Sequence, residues 1–180
     1  KFKLNKEHLS EYFIFKYLAP PNTLISEVNL LLPGEFIIFE NNQIKKKTYF
    51  DFQNFNEKID TSDNMLVTLE EKLKLSVKSQ LMSDVNLGTQ LSGGIDSSLV
   101  TLFAKKFTNK LETFSIFFEE KNLSEEAYIK KVTNDLDLIN YSSEFNYKNF
   151  YDDLSNSIWS FDKPLSQINS VGLFNLAKLA

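Results

Sequence analysis

Ser92-Gly93-Gly94-Ile95-Asp96-Ser97-Ser98 gathers three hydroxyl donors, one carboxylate and two residues without side chains into seven positions. Paired glycines admit positive φ and let main-chain N–H groups approach an anion closely. A helix that begins here adds its first N–H groups and a partial positive charge at the same spot. A phosphate or pyrophosphate group suits that set of donors, and Asp96 is placed to hold a Mg2+ ion bridging phosphate oxygens. The plainer reading is a Gly-Gly turn with Asp96 or Ser97 merely capping the helix. The complete heptapeptide, with Leu91 before it and Leu99-Val100 after it, favours pyrophosphate binding. Neither Gly-x-x-x-x-Gly-Lys-Ser/Thr nor Gly-x-Gly-x-x-Gly occurs, so γ-phosphoryl transfer on a Walker-type loop and dinucleotide binding are unsupported.

Other chemistry-bearing residues carry weaker signals. His8 is the only histidine and falls in a helical pattern, which reads as a surface or partly packed position and leaves Ser-His-Asp catalysis without support. With no cysteine there is no thiolate nucleophile, disulfide or thiolate metal site. Glu119-Glu120 and Asp152-Asp153 read as solvated charges, Lys45 to Lys47 as a solvated strand face, and Trp159 as a packed side chain. The 17 phenylalanines are spread along the chain, as core residues are, and not clustered with arginine as a base-stacking platform requires.

The elements that must position the loop follow from periodicity. Glu7 to Leu18 repeats its apolar residues at helical spacing until Pro20-Pro21 stops it. Thr23 to Leu32, Glu35 to Phe39 and Ile44 to Phe50 are β-prone runs separated by Pro33-Gly34 and Asn41-Asn42, which predicts a small antiparallel hairpin or meander. After a polar, aperiodic stretch from Asp51 to Asn64, Met65 to Met82 predicts an amphipathic helix. Strands are expected at Asn86 to Leu91, Leu111 to Phe117 and Ile139 to Phe145, with Phe114, Ile116 and Phe118 on one side of the second. Helices are expected at Ser97 to Phe107, Glu125 to Leu136 and Lys148 to Phe161, with another running into Ala180. Alternation of this kind means an α/β fold, a parallel sheet covered by helices, with the Ser92 to Ser98 loop at the carboxyl end of the first strand, where such sheets bind ligands.

Bulk properties narrow the partners. The 180 residues amount to about one ordinary domain. A net charge of −4 disfavours a broad nucleic-acid surface and favours a small-molecule substrate. No apolar run reaches the roughly 18 residues that a membrane span needs. Cytoplasm is the expected location, and the abrupt start at Lys1 and the stop within a helix at Ala180 suggest that both ends are cuts.

The heptapeptide resembles the pyrophosphate loop of the N-type ATP pyrophosphatases, and its surroundings resemble the glutamine-dependent asparagine synthetases. Ser83-Asp84-Val85-Asn86-Leu87-Gly88 is similar to that family's lead-in to the strand, Thr113-Phe114-Ser115-Ile116-Phe117-Phe118 to its second strand, and Leu123-Ser124-Glu125-Glu126-Ala127-Tyr128 to the acidic segment opening the next helix. Tyr12 to Leu18, Thr23-Leu24, Leu32-Pro33-Gly34 and Tyr49 resemble the helix and hairpin linking the family's two domains.

This resemblance implies a Rossmann-like sheet of the adenine nucleotide alpha hydrolase type, with residues 1–60 as linker helix and hairpin and residues 61–180 as the amino-terminal part of a synthetase domain. ATP would activate a carboxylate, aspartate first among the candidates, as an acyl-adenylate. Pyrophosphate would leave, and ammonia would attack to give an amide. By position, Ser92, Gly93, Gly94, Asp96, Ser97 and Ser98 would hold the pyrophosphate of ATP, with Asp96 the catalytic and Mg2+-binding residue. Leu91 and Ile116 would flank adenine with their backbone groups reading its edge, and Asn169 and Ser170 are candidates for the acceptor site. Asp162-Lys163-Pro164 is similar to the family's Asp-Glu-Pro turn, with lysine replacing the usual acid.

Several departures bear on the substrate. The glutaminase domain that would supply ammonia is absent from this chain, and the second glycine-acid motif and catalytic lysine are expected beyond Ala180. Asp137 to Ser143 lacks the Gly-Thr and paired histidines of the family. Relatives acting on sugars, peptides or antibiotic precursors therefore stay in contention, as does a non-catalytic nucleotide-binding remnant, and a homodimer is compatible with either. An RNA-modifying relative is disfavoured by the missing cysteines and the acidic charge.

Overall fold

The structure is a computed structural model that describes residues 2–54, 64–118, 125–145, 147–167 and 169–180, without the side chains of Phe118 and Tyr147. The chain divides into two units, Lys1–Ile59 and Asp60–Ala180.

In the first unit a 3-10 turn, Lys6–His8, leads into helix α1, Leu9–Phe15. The Asn5 side chain accepts from Glu7 N–H at the start, and Lys16, at φ 60°, closes the end with its N–H on Tyr12 O at 2.7 Å. His8 lies 3.4 Å from the Glu11 carboxylate. Strands β1, Glu35–Glu40, and β2, Gln43–Thr48, form the expected antiparallel hairpin around Asn41-Asn42. Both asparagines have positive φ, 51° and 61°, as a two-residue hairpin turn with the strands' own twist demands. Lys45, Lys46 and Lys47 are exposed, and Lys46 pairs with Glu35 at 2.7 Å, holding that carboxyl below its ordinary pKa through the hydrogen bond it donates.

The β-prone run Thr23 to Leu32 does not form a strand; it has one isolated bridge, Leu4 to Ile25. The cause is local competition for backbone groups. Thr23 Oγ1 sits 2.9 Å from Ile25 O and 2.7 Å from Val28 O, and it also accepts from Ile25 N–H. Such side-chain bonds curl the segment and take the groups a ladder would use.

The second unit is built on a three-stranded parallel sheet in the order β3-β4-β5, with β3 at Leu87–Gln90, β4 at Leu111–Phe118 and β5 at Ile139–Phe145. Helix α3, Ile95–Phe107, follows β3, and α4, Glu126–Asp135, joins β4 to β5. Helix α2, Met65–Ser79, packs on α3. It stops three residues short of Met82, which is almost fully exposed. After β5 come a 3-10 turn, Tyr147–Asn149, then α5, Phe150–Phe161, and α6, Asn169–Leu179.

Register places side chains on faces. Thr89 pairs with Thr113, and Thr113 with Asn140, so all three point to one side; Thr101 of α3 donates to Thr89 there. Helix α6 packs on β4 and β5, and Ala180 meets Gly88, Gln90, Glu112 and Phe114, the opposite face, around a shallow cavity. Helices therefore cover both faces, as a parallel sheet requires. Leu91, Phe103, Ala104, Leu111, Ile129, Phe145, Val171 and Leu176 form the apolar core.

Two expectations are corrected. Trp159 is 84% exposed instead of packed, because it sits on the outer side of α5 while Ser157 faces inward. Asp153 is not a solvated charge: it accepts from Asn175 Nδ2 at 3.0 Å and pairs with Lys178 at 3.6 Å, tying α5 to α6. Glu119 and Glu120 lie outside the described residues.

Candidate functional site

Strand β3 ends where the loop begins, and the peptide before the loop is held at both polar groups. Leu91 is 2% exposed; its N–H donates to Phe114 O at 2.9 Å and its carbonyl accepts from Ser115 Oγ at 2.7 Å. Gln90 is level with Phe114 in the parallel register, so Ile116, two residues on, stands level with Ser92 at the carboxyl edge of the sheet. The two residues expected to flank adenine thus lie on adjacent strands at the mouth of the loop.

Gly93 adopts φ +83°, a conformation that side chains resist. It also abuts α4: a Cβ there would fall 2.8 Å from Tyr128 Cβ and 3.0 Å from Ile129 N. Gly94 differs. Its φ of −69° suits any residue, and a Cβ would meet only Ser92 Oγ, at 3.4 Å. Nothing in the free protein demands glycine at 94; an added methyl would occupy open space beside the Ser92 hydroxyl, within the loop.

Gly94 is the N-cap of α3, and no side chain caps the helix. Asp96 and Ser97 therefore do not perform the ordinary capping role. The N–H groups of Ile95, Asp96 and Ser97 find no acceptor among the described residues, which leaves the positive end of α3 open. Ser97 Oγ accepts from Ser92 N–H at 3.2 Å, lies 3.0 Å from Ser92 Oγ and donates to Gly94 O at 3.2 Å. Gly94 N–H donates to Ser92 Oγ at a long 3.4 Å. The two hydroxyls brace each other across the loop and keep it curled around those free N–H groups.

Asp96 is exposed on the first turn of α3, with no hydrogen bond or ion pair among the described residues. Ser98 Oγ is buried without a hydrogen-bond partner there, a condition that costs about 1 to 3 kcal/mol. The donors suit an anion. For a cation, no group of three or more His, Cys, Asp or Glu side chains occurs among the described residues. A single free carboxylate beside a phosphate cradle fits Mg2+, which takes one or two carboxylates and completes its shell with phosphate oxygens and water.

The structure does not bring every expected residue to the loop. Asn169 and Ser170 open α6, whose far end, Ala180, lies beside the starts of β3 and β4. The amino-terminal end of α6 therefore points toward the sheet's carboxyl edge, on the face away from α3. Asp162 ends α5 in the left-handed conformation, φ 53°, with its N–H on Trp159 O. Sequence reasoning assigned no role to Thr113, Ser115 and Asn140, which form a hydrogen-bonded cluster under Leu91. The available signal was hydroxyl residues at alternate positions of a strand whose burial calls for apolar ones.

Parallel strands, a glycine loop at their carboxyl edge and an uncapped helix amino terminus directly behind it define an α/β domain of the Rossmann-like kind. Comparison with known proteins narrows that class. Residues 68–180 match the family model described as asparagine synthase. The chain is 34% identical over 179 residues to asparagine synthetase [glutamine-hydrolyzing] 1 of Bacillus subtilis, covering 99% of this chain and 28% of that protein. It is 28% identical over 187 residues to putative asparagine synthetase [glutamine-hydrolyzing] 2 of Methanocaldococcus jannaschii, covering 100% of this chain and 35% of the relative. With a putative asparagine synthetase [glutamine-hydrolyzing] of Mycobacterium bovis it shares 26% identity over 182 residues, 99% of this chain and 28% of the relative. The chain belongs to the asparagine synthase family, and it spans about a third or less of the length of these curated relatives.

Proposed function

We propose that the protein to which this chain belongs cleaves ATP between its α- and β-phosphates to adenylate a carboxylate, with aspartate the first candidate, for attack by ammonia. The observation that carries this reading is the open cradle at Gly94: unoccupied space, an uncapped helix terminus and a free Asp96 carboxylate meet at one loop. Family membership supports it, because relatives matched along the whole chain are named asparagine synthetases.

In this reading the N–H groups of Gly94 to Ser97 and the hydroxyls of Ser92, Ser97 and Ser98 hold the pyrophosphate, Ser98 Oγ being the loop hydroxyl with no hydrogen-bond partner among the described residues. These donors are fixed before charge develops on the leaving group, the arrangement in which electrostatic stabilisation is most effective. Asp96 holds Mg2+, whose charge offsets that of the phosphates. Leu91 and Ile116 flank adenine. Both polar groups of Leu91 are already engaged, so it contributes the second lone pair of its carbonyl and its position. Asn169 and Ser170, at the amino end of α6, belong to the acceptor side. Residues 1–60 serve as linker and residues 61–180 as the amino-terminal part of the synthetase domain, and ammonia comes from a glutaminase domain of the whole protein, in the cytoplasm. Among the described residues no helix is long and apolar enough to cross a membrane.

A second acceptor is favoured by one observation. Where the family carries Gly-Thr and paired histidines, this chain has Asp137-Leu138-Ile139-Asn140-Tyr141-Ser142-Ser143, and Ile139 to Ser143 lie in β5, which pairs with β4, the strand that carries Ile116. ATP–pyrophosphate exchange on the full-length protein tests both acceptors. Exchange dependent on aspartate is expected. Exchange only with a sugar acid, peptide or antibiotic precursor moves the assignment to that acceptor, and exchange with none, despite ATP binding, refutes adenylation.

A further inference from the structure

A polar cluster sits in the sheet directly beneath the loop, where apolar packing would be the ordinary choice. Thr113 is 0% and Ser115 1% exposed, both on β4, and Asn140 of β5 lies between them. Thr113 Oγ1 is 3.0 Å from Ile139 O and 2.8 Å from the Asn140 side-chain oxygen position. Ser115 Oγ is 2.7 Å from Leu91 O and 3.0 Å from the same Asn140 atom.

Proton counting decides which Asn140 atom that is. A hydroxyl carries one proton and a carboxamide nitrogen two. With Oδ1 facing the hydroxyls, two protons face three acceptors across four contacts, and Nδ2 finds no acceptor among the described residues. A half-turn of the amide about Cβ–Cγ exchanges oxygen and nitrogen with almost no change of shape. Nδ2 then donates to Thr113 Oγ1 and Ser115 Oγ. Each hydroxyl keeps its single proton for a main-chain carbonyl, Thr113 for Ile139 O and Ser115 for Leu91 O, and every contact has a donor. Bonds linked in this way polarise one another, so a donor behind Ser115 strengthens the bond in front of it.

We infer that Asn140 is a positioning residue for the anion loop, acting through Ser115 on the carbonyl of Leu91, the last residue before Ser92. The Leu91 N–H is fixed by Phe114 O, so pinning its carbonyl sets the plane of the peptide entering Ser92 and with it the aim of the Gly93 and Gly94 N–H groups. Asn140 touches no nucleotide in this account. Its effect on ATP rests on the function proposed above; its effect on loop geometry does not.

The test uses Asn140→Asp, Ser115→Ala and the double variant in the full-length protein, read by ATP affinity and by backbone hydrogen exchange of residues 92–94 without nucleotide. Aspartate has nearly the shape of asparagine but at neutral pH can only accept, so it disables the chain. Each single change is expected to weaken ATP binding about tenfold and to speed exchange at 92–94 about tenfold. The double variant is expected to be no worse than either, because both act on one chain. Wild-type behaviour of Asn140→Asp in both measurements means that Oδ1 faces the hydroxyls and overturns the inference, as do single effects that multiply to about a hundredfold in the double variant. Faster exchange spread evenly over β3, β4 and β5 marks a merely structural role and overturns it as well. Asn140→Ala serves in the same assays if the aspartate variant does not fold. If the wild-type protein fails to bind ATP, the proposed function falls and loop exchange alone decides the role of Asn140.

Discussion

Replacing each loop glycine by alanine should separate a residue needed by the fold from one needed by the ligand. At Gly93 the φ of +83° costs an L-residue about 1 to 2 kcal/mol. The new Cβ lies 2.8 Å from Tyr128 Cβ and 3.0 Å from Ile129 N, and backbone cannot yield as a flexible side chain can. Overpacking of this kind adds about 1 to 3 kcal/mol, so Gly93→Ala should lose roughly 2 to 5 kcal/mol of unfolding free energy. At Gly94 the φ of −69° suits alanine, and the reduced freedom of the unfolded chain favours it by about 0.4 to 1 kcal/mol. Alanine is a poorer N-cap than glycine by a similar amount, so the two terms nearly cancel. What Gly94→Ala should lose is ATP. Its methyl enters the cradle at 3.4 Å from Ser92 Oγ and holds a phosphate off the helix N–H groups. One charge-assisted hydrogen bond is worth about 1.5 to 3 kcal/mol, or roughly tenfold to over a hundredfold in affinity. Urea unfolding and ATP calorimetry on both variants measure the two effects. A Gly93→Ala protein as stable as wild type refutes the described seat of Gly93 on α4, and a Gly94→Ala protein that binds ATP normally refutes the cradle.

Asp96→Ala should remove the Mg2+-dependent part of ATP affinity while changing stability by no more than the roughly 0.3 to 1 kcal/mol of a carboxylate at a helix amino terminus, since Asp96 has no partner among the described residues. ATP titrations with and without Mg2+ check this, and equal Mg2+ dependence in both proteins refutes the role of Asp96. Asp153→Ala, which cuts the bonds from Asn175 and Lys178 to the α5–α6 pair, should cost about 1 to 3 kcal/mol in urea unfolding, and a neutral result would show that the clamp contributes nothing. Tyr141 has its pKa raised above 10.0 by the charge of Glu112, then by its hydrogen bond to that carboxylate. A folded-state pKa above the unfolded value means that the associated stability is complete below the unfolded pKa and is lost as pH rises through the folded one. The wild-type protein should therefore lose stability across pH 10 and above relative to Tyr141→Phe, a difference that alkaline unfolding curves would show.

The sheet was legible because each strand and helix of the second unit carries its own periodicity and its own punctuation. Leu111–Phe118 and Ile139–Phe145 stand within a residue of where β-prone runs place them. Helix α3 begins at Ile95, two residues earlier than its apolar pattern suggests, because Gly94 and not a side chain serves as the cap. Thr23 to Leu32 misled because one hydroxyl, Thr23 Oγ1, redirects three main-chain groups, and propensity does not register such bonds. The loop's place between β3 and α3 was legible in residue types alone. The fit of Gly93 against α4 was not, since 35 residues of sequence separate it from Tyr128 and no local pattern encodes the contact.

That contact changes how the loop is to be understood. Glycine pairs in anion loops are usually explained together, by backbone freedom, but here the two act on opposite sides. Gly93 faces inward, where its missing side chain lets the first turn of α4 approach, so a second helix amino terminus stands close behind the loop entered by α3. Gly94 faces the open cradle. Between them runs a main chain whose incoming peptide is held by Phe114 and Ser115 and whose outgoing helix is braced by Ser92 and Ser97. In the proposed reading a donor array held at both ends loses little entropy when an anion arrives, and the amino terminus of α3 adds its partial positive charge. The polar residues buried under the loop are then no defect of the core. An apolar side chain at 115 would pack as well but could not hold the Leu91 carbonyl, and the aim of the loop would rest on packing alone.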